Sequence, residues 1–520
     1  MRRFNVTGLC TPEEDYMVDI SGKIEHIKQL IDGRCYFTMN RARQYGKTTT
    51  LNMLRKTLAN EYMCINLSFE GVGPTMFLNA QSFCQRFLWQ IDMAAEHVSY
   101  EKLEWQNDKV TDFDELSVHL TQLCFNRKIV LMIDEVDKAS NHEVFLHFLG
   151  MLRSKFNARK SGIGATFHSV ILAGVYDIKN IKSKMMREGK YQATDYEDKK
   201  YDSPWNIAVD FDIDMSFNPA EISTMLKEYE SDHCTGMDIK GIAGEIHSYT
   251  SGYPFLVSRI CQCIDEKLKK DWTGGGVQNA VKVILDETNT LFDDIFKSIG
   301  NYEELRKYLY DLLFIGMDTA FNIDNEIIKL GCMFGFLKKA NGKTRVANKI
   351  FETRIYNYFV SHNEVSADNN IRNISLAKYE VLKKDGFDME LCLRKFAQHY
   401  NEIFSGKDIE FLERHGRLLF LSYLRPFING DGFYHVESEI NDFRMDVVVD
   451  YKSEQFIVEL KIWRGEKYEQ MAYEQLANYL KIKNAQTGYL LTFDFRKETN
   501  KGHKADWLEI DGRKIFELII

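Results

Sequence analysis

Residues His435–Tyr479 read HVESEINDFRMDVVVDYKSEQFIVELKIWRGEKYEQMAYEQLANY, and the carboxyl-terminal half of the chain is organised around them. Two runs of β type lie inside, Arg444–Tyr451 (RMDVVVDY) and Gln455–Trp463 (QFIVELKIW). Strand side chains alternate between faces, so Val458, Leu460 and Ile462 point one way while Glu459 and Lys461 point the other. In the first run Asp446 is opposite in phase to Val447 and Val449. If the two strands pair, one acid from the first and an acid plus a lysine from the second converge on one spot. Two carboxylates at a strand end suit a hard cation such as Mg²⁺. A neighbouring ammonium can steady a developing oxyanion or orient an attacking water. The competing reading is an edge strand whose solvated Glu/Lys pair blunts the sheet edge.

A helical pattern follows, with Gln475 and Tyr479 spaced i, i+4 on one face. Asp…Glu-x-Lys on two apolar strands followed by Gln-x-x-x-Tyr resembles the PD-(D/E)XK nuclease superfamily, in particular its RecB-type members. The resemblance implies an αβββαβ core. The sequence offers helices at about 376–402 and 407–425, strands at Phe433–Glu437, Arg444–Tyr451 and Gln455–Trp463, the Gln475 helix, and a strand at Gly488–Phe495. It also implies roles. Asp446 and Glu459 would ligate Mg²⁺ with the Leu460 carbonyl, Lys461 would contact the attacking water or scissile phosphate, and Gln475 would orient the ligand shell. Glu437 is the preferred further acid, ahead of Glu439 and of Glu413, which reads better as a helix-surface partner of Arg417.

Upstream, Cys35–Asn40 (CYFTMN) reads as a short buried strand leading through Arg41–Tyr45 into Gly46-Lys47-Thr48 and the helical pattern LNMLRKTLANEY. Strand, loop and Gly-Lys-Thr opening a helix is the setting of a Walker A motif. Backbone N–H groups cradle phosphates, Lys47 reaches the β/γ oxygens, and Thr48 offers a hydroxyl to Mg²⁺. The strict pattern fails at its first glycine, where Arg41 stands. Ile129–Ile133 is a continuous apolar run of the kind buried on both faces of a parallel sheet. It ends in Asp134-Glu135-Val136-Asp137, a Walker B arrangement in which Asp134 holds Mg²⁺ through water and Glu135 polarises the hydrolytic water. Cys64–Phe69 reads as a strand between the two motifs, and Ser169–Ala173 and Asn206–Phe211 as later ones.

With NVTGLCTPEEDYMVD (Asn5–Asp19) ahead of them, these pieces look like the bacterial AAA-ATPase-like proteins of the ASCE class, with ORC- and STAND-like features. Many of these carry a nuclease-type domain at the carboxyl end. That resemblance implies an Arg-rich loop in place of the first glycine and a nucleotide-binding set of Arg43, Gly46, Lys47, Thr48 and Thr49 with Asp134. It also implies that the segment around Tyr16 lies near the nucleotide base.

Between the two modules, Asn218-Pro219 starts a helix, and Thr250–Arg259 ends one helix at Gly252 and begins another after Pro254. Arg259 reads either as a sensor of the γ-phosphate or as an exposed arginine. Two helices in 302–334 and Asn341-Gly342 between short apolar runs outline a winged helix, closed by IFETRIYNYF. Its wing carries Lys338, Lys339, Lys343 and Arg345, as a DNA contact or a solvated hairpin.

A chain of 520 residues exceeds one core. The expected division is an ATPase domain at 1–215, a helical lid at 216–299, a winged helix at 300–362, a linker at 363–375 and a nuclease-like domain at 376–520. The net charge of −9 excludes attraction of nucleic acid by the molecule as a whole and leaves only local basic surfaces. The 10 cysteines form no C-x-x-C pair, which argues against zinc and redox chemistry, and Cys261 and Cys263 read as core. No signal peptide or membrane span is legible, so the expected setting is the cytoplasm. A homo-oligomer is compatible with the sequence and not specified by it. The fold class expected is α/β, a P-loop parallel sheet with helical lid and winged helix followed by an α/β PD-(D/E)XK-like domain. The function expected is an ATP-binding and ATP-hydrolysing module joined to a Mg²⁺-dependent DNA nuclease, in defence or mobile-element biology. The alternative is a nucleotide-switched module that binds DNA or protein without cutting.

Overall fold

The computed structural model describes residues 2–99, 110–140, 142–175, 205–315, 319–366, 381–383, 386–404, 409–428, 432–437, 446–452, 454–463, 465–494 and 504–520. They form two compact units, one of Met1–Ala280 with Met333–Gly335 and the other of Val281–Cys332 with Phe336–Ile520.

The first unit is built on strands β1 (Tyr36–Asn40), β2 (Met63–Ser68), β3 (Ile129–Asp134) and β4 (Ser169–Gly174), in the order β1-β4-β3-β2 and all parallel. β3 and β4 are buried along their whole length, which is why their sequences are apolar without alternation. Parallel pairing brings the loop after β1 and the acids after β3 to the same sheet edge. Asn206–Phe211, expected as a further strand, is reduced to a single parallel bridge between Val209 and Phe37. The chain reaches that bridge out of a turn closed by the Ala208 N–H on the Trp205 carbonyl, so only the Val209 N–H is left to bond Tyr36.

Helices follow on the same unit. Pro219–His233 starts in a reciprocal cap between Asn218 and Glu221, and Ile239–Thr250 and Pro254–Glu266 come after it. Ser251 and Gly252 turn the chain between the last two in left-handed conformation, at φ 46° and 73°. A side chain on Gly252 would stand 2.0 Å from the Phe217 carbonyl oxygen, so only glycine fits there.

In the second unit, helices Glu303–Tyr310 and Glu326–Met333 precede a hairpin of β5 (Leu337–Ala340) and β6 (Lys343–Val346), turned by Asn341 and Gly342 at φ 49° and 77°. The closing helix Lys349–Ser366 runs through 363–366, where the linker was expected to begin. The rest of that linker lies outside the described residues. The Tyr434 hydroxyl donates to Asn357 Oδ1 at 3.1 Å, tying this helix to the sheet described next.

A short hairpin, β7 (Leu382–Lys383) with β8 (Gly386–Phe387), stands where a helix was expected from about 376. Val381 just ahead of the hairpin is helical, and the helix that follows it starts at Met389, where Asp388 accepts the Leu391 N–H at 3.0 Å and fixes the first turn. After helices Met389–Phe404 and Ile409–Ile428 come β9 (Gly432–Glu437), β10 (Asp446–Tyr451), β11 (Glu454–Ile462), β12 (Thr487–Phe493), β13 (Lys504–Ile510) and β14 (Arg513–Ile519). They form one sheet ordered β13-β14-β12-β11-β10-β9. The helix Glu466–Ile482 presses Ala472, Leu476, Ala477 and Leu480 onto Val448, Ile457, Leu490 and Ile515. Each such leucine or isoleucine contributes about 1.5–3 kcal/mol by leaving water. The β13–β14 hairpin has no counterpart in the expected αβββαβ core. Among the described residues no helix is long and apolar enough to cross a membrane.

Candidate functional site

In the carboxyl-terminal sheet, Asp446 on β10 stands opposite Glu459 on β11 and, on its other side, opposite Glu437 on β9. Directly opposed positions of antiparallel strands share a face, so three acidic positions occupy one rung. The side chains of Glu437, Asp446, Glu413 and Arg417, and all of Glu439, lie outside the described set, so what is placed is the register. Glu459 itself is nearly buried, at 3% exposure. Two residues along on the same face, Lys461 brings its Nζ to 2.6 Å from Glu459 Oε1 and donates to Gln475 Oε1 at 3.1 Å. Val458 and Leu460 are buried on the other face, as the alternation requires. The solvated edge-strand reading therefore fails, because β11 is central and its Glu/Lys pair is enclosed.

The rung continues through Leu490 to Glu517 on β14. Sequence reasoning passed over Glu517, although Asp511-Gly512 between two apolar runs is a hairpin signal that would have found its strand. Its Oε2 accepts the Tyr473 hydroxyl at 2.8 Å, while Oε1 is buried without a hydrogen-bond partner. Burial raises the Glu517 pKa above the ordinary carboxylate range, and the same cause, with Glu517 beside it, raises that of Tyr473. Among the described residues no three His, Cys, Asp or Glu side chains gather as a metal site. The donor set that fits Mg²⁺ is the acidic rung, hard oxygen ligands on adjacent strands.

At the other centre, Gly46 adopts φ 74° and opens the helix Lys47–Leu58. Lys47, buried beneath the loop, donates through Nζ to the Arg41 and Ala42 carbonyls, each at 3.0 Å. Burial lowers its pKa, against the pull of Glu135, Asp137 and Asp134. The Thr48 hydroxyl donates to Asp134 Oδ2 at 2.6 Å, and the Glu135 N–H to Asp134 Oδ1 at 2.9 Å. Glu135 is left-handed at φ 54° and its pKa is raised by burial. A glycine turn, a buried ammonium, and a hydroxyl paired with a carboxylate are groups that fit a nucleotide's phosphates and their Mg²⁺. Thr49 accepts the Cys10 N–H at 3.3 Å, and Arg43 is exposed on the loop.

Three other expectations resolve locally. Arg41 spans from the loop to the segment after the Val209 bridge. Its guanidinium donates to the Ile213 carbonyl at 2.6 Å and lies 5.2 Å from the centre of the Phe211 ring. Tyr16 is placed in the core: its ring packs on Phe4 and Tyr229 and its hydroxyl donates to Asp232 at 3.0 Å. The segment around it is held by this aromatic packing and reaches the helix after Gly46 through the Cys10–Thr49 contact. Arg259 donates to Gln262 on its own helix.

Residues 21–270 match the AAA-like domain family, and residues 433–504 match the PD-(D/E)XK nuclease superfamily. An uncharacterized WD repeat-containing protein of Synechocystis sp. is 21% identical over an alignment covering 63% of this chain, and the chain spans 28% of that relative's length. Among solved structures, a Walker-type ATPase of Pyrococcus abyssi superposes with a TM-score of 0.44 at 13% identity, covering 68% of this chain and 99% of that one. The Aeropyrum pernix ORC2 protein in its ADPNP–ADP complexes does so with a TM-score of 0.38 at 11% identity, covering 68% and 98%.

Proposed function

From a chain that carries an AAA-like domain and a carboxyl-terminal PD-(D/E)XK nuclease superfamily domain, we propose a protein that binds and hydrolyses ATP and cuts DNA with the help of Mg²⁺. The observation that carries the cutting half is the contact of Lys461 with both Glu459 and Gln475 beside a rung shared with Asp446 and Glu437. Asp446 and Glu459 would hold Mg²⁺, with Glu437 as the further acid, and the ion when bound would supply Lewis-acid charge at the scissile phosphate. Lys461 would hold the attacking water or a phosphate oxygen, with Gln475, which accepts its ammonium at 3.1 Å, directing it. In the ATPase half, Lys47 and the N–H groups after Gly46 would take the phosphates with Arg43 and Thr49 at the loop's rim. Thr48 and Asp134 would hold the nucleotide's Mg²⁺, and Glu135 would polarise the attacking water. A role in defence or mobile elements, and a homo-oligomeric state, belong to the same proposal.

The test uses the full chain, Lys461→Ala and Lys47→Ala on supercoiled plasmid with Mg²⁺ or Mn²⁺. Lys461→Ala should lose cutting by about a hundredfold or more while retaining ATP hydrolysis. Lys47→Ala should lose ATP hydrolysis. No cutting by the unmodified protein under any of these conditions would instead favour a nucleotide-switched binding module.

A further inference from the structure

A parallel sheet has two unlike edges. The strand ends carry the Lys47 loop and Asp134; the strand starts lie at the opposite edge. The residues just ahead of the four strands are Arg34-Cys35 at β1, Tyr62 at β2, Lys128 at β3 and His168 at β4. The helix Glu143–Lys160 ends there too, bringing Arg159 and Lys160. Arg159 donates to the Arg34 carbonyl at 3.0 Å and to the His168 carbonyl at 2.9 Å. The Tyr62 and His168 rings are 4.9 Å apart, and Lys128 Nζ lies 6.0 Å from the centre of Tyr62. Arg34, Lys128 and Arg159 therefore surround one spot.

Among the described residues, the acids at this edge are Asp32 and Glu61, both bound by Lys28, and Asp32 also accepts the Tyr62 hydroxyl at 2.6 Å. The balance is positive on a chain whose net charge is −9. His168 Nε2 is shielded from solvent without a hydrogen-bond partner. Burial and then the three neighbouring cations lower its pKa, as a positive surface requires. The loop into β3 reads Phe125-Asn126-Arg127-Lys128, and Phe125, three residues ahead of Lys128, is 67% exposed. Cations that follow a phosphate backbone, interleaved with an exposed ring on which a base can lie, are the means of holding unpaired nucleic acid. An acidic peptide would use the charges and leave the ring idle, and a duplex offers the ring no free base face.

We propose that this edge, with Arg34, Lys128 and Phe125 exposed on it and Arg159 holding its backbone in place through the Arg34, Phe167 and His168 carbonyls, is a binding surface for single-stranded nucleic acid. It rests on the reading above only in taking nucleic acid as the chain's partner. Full-length protein in EDTA, where cutting is silent, is titrated with fluorescein-labelled oligothymidylate at several salt concentrations. Arg34→Glu/Lys128→Glu should weaken binding about tenfold or more at low salt. It should also flatten the slope of log K against log salt by about 1.4, two phosphate contacts at about 0.7 each. Phe125→Ala should weaken binding about tenfold with the slope unchanged. Melting temperature and ATP hydrolysis should match the unmodified protein. Unchanged affinity in the folded variants overturns the proposal, as does an equal loss of affinity for duplex or poly-glutamate in those variants. Binding without plasmid cutting leaves this surface standing and removes the nuclease reading; cutting with unaltered binding by the variants does the reverse.

Discussion

Lys461 holds an ammonium between a nearly buried carboxylate and a carboxamide. Taking one member from an enclosed ion pair leaves the other charge without compensation, which costs about 3–5 kcal/mol. Lys461→Met should therefore lower the urea midpoint of the second unit, and Glu459→Gln/Lys461→Met should recover much of the loss. Equal stability of the single and double variants would mean that the pair is held apart by water. Glu517 gives a second residue-scale prediction. Its folded pKa is raised, chiefly by burial. The folded form thus keeps a proton at pH values where an unfolded glutamate has released it, so stability is full below the ordinary value and falls as pH rises through the folded one. Glu517→Gln has no proton to lose and should flatten the stability profile upward from the ordinary glutamate value. At this scale Glu459, Lys461 and Gln475 were legible because alternation and helical spacing are local rules. What became of Arg41 was not. Its partner, the Ile213 carbonyl, is far along the chain, and no local pattern announces a guanidinium that replaces a glycine by anchoring the loop.

At the scale of elements, the junction Thr250–Pro254 is where backbone geometry decides most. The Gly252 carbonyl accepts the Phe217 N–H at 2.8 Å, and a methyl group added there would collide with the Phe217 backbone. Gly252→Ala must break that contact and also place a side chain at positive φ, so a loss of about 3 kcal/mol or more is expected in urea denaturation. Gly342→Ala, at positive φ with open space around it, should cost only about 1–2 kcal/mol. The comparison separates a clash from conformational strain alone. Buried parallel strands were read within a residue or two because continuous apolar runs leave little choice. Three elements were misread, each for a physical reason. Asn206–Phe211 has strand composition but only one backbone bond to spend on β1. The helix expected over about 376–402 is interrupted by the β7–β8 hairpin between the helical Val381 and the Asp388 cap. The β13–β14 hairpin was announced by Asp511-Gly512, but the expected six-element core left no place for it, and β14 enters the sheet beside β12 only through pairing distant in sequence.

On the scale of the whole molecule, each unit buries a core of its own, and the phosphate site and the acidic rung fall in different units. A ligand that binds only folded protein stabilises it by RT ln(1 + [L]/Kd), about 2.7 kcal/mol at a hundred times Kd. For a unit of this size that is a rise of about 5–10 °C in its melting temperature. Mg²⁺ with a non-hydrolysable ATP analogue should therefore move the calorimetric transition that belongs to the first unit. Thr48→Ala, which removes the hydroxyl paired with Asp134, should shrink the shift, and Lys47→Ala should abolish it. Lys461→Ala should keep it in full, since its change lies in the acidic rung. Assigning the transitions needs no assumption about how the units meet: Gly252→Ala lowers the first and Lys461→Met the second. If the nucleotide moved only the transition sensitive to Lys461→Met, the phosphate site would have to be sought away from the Gly46-Lys47-Thr48 loop, and the ATPase half of the proposal would fall with it.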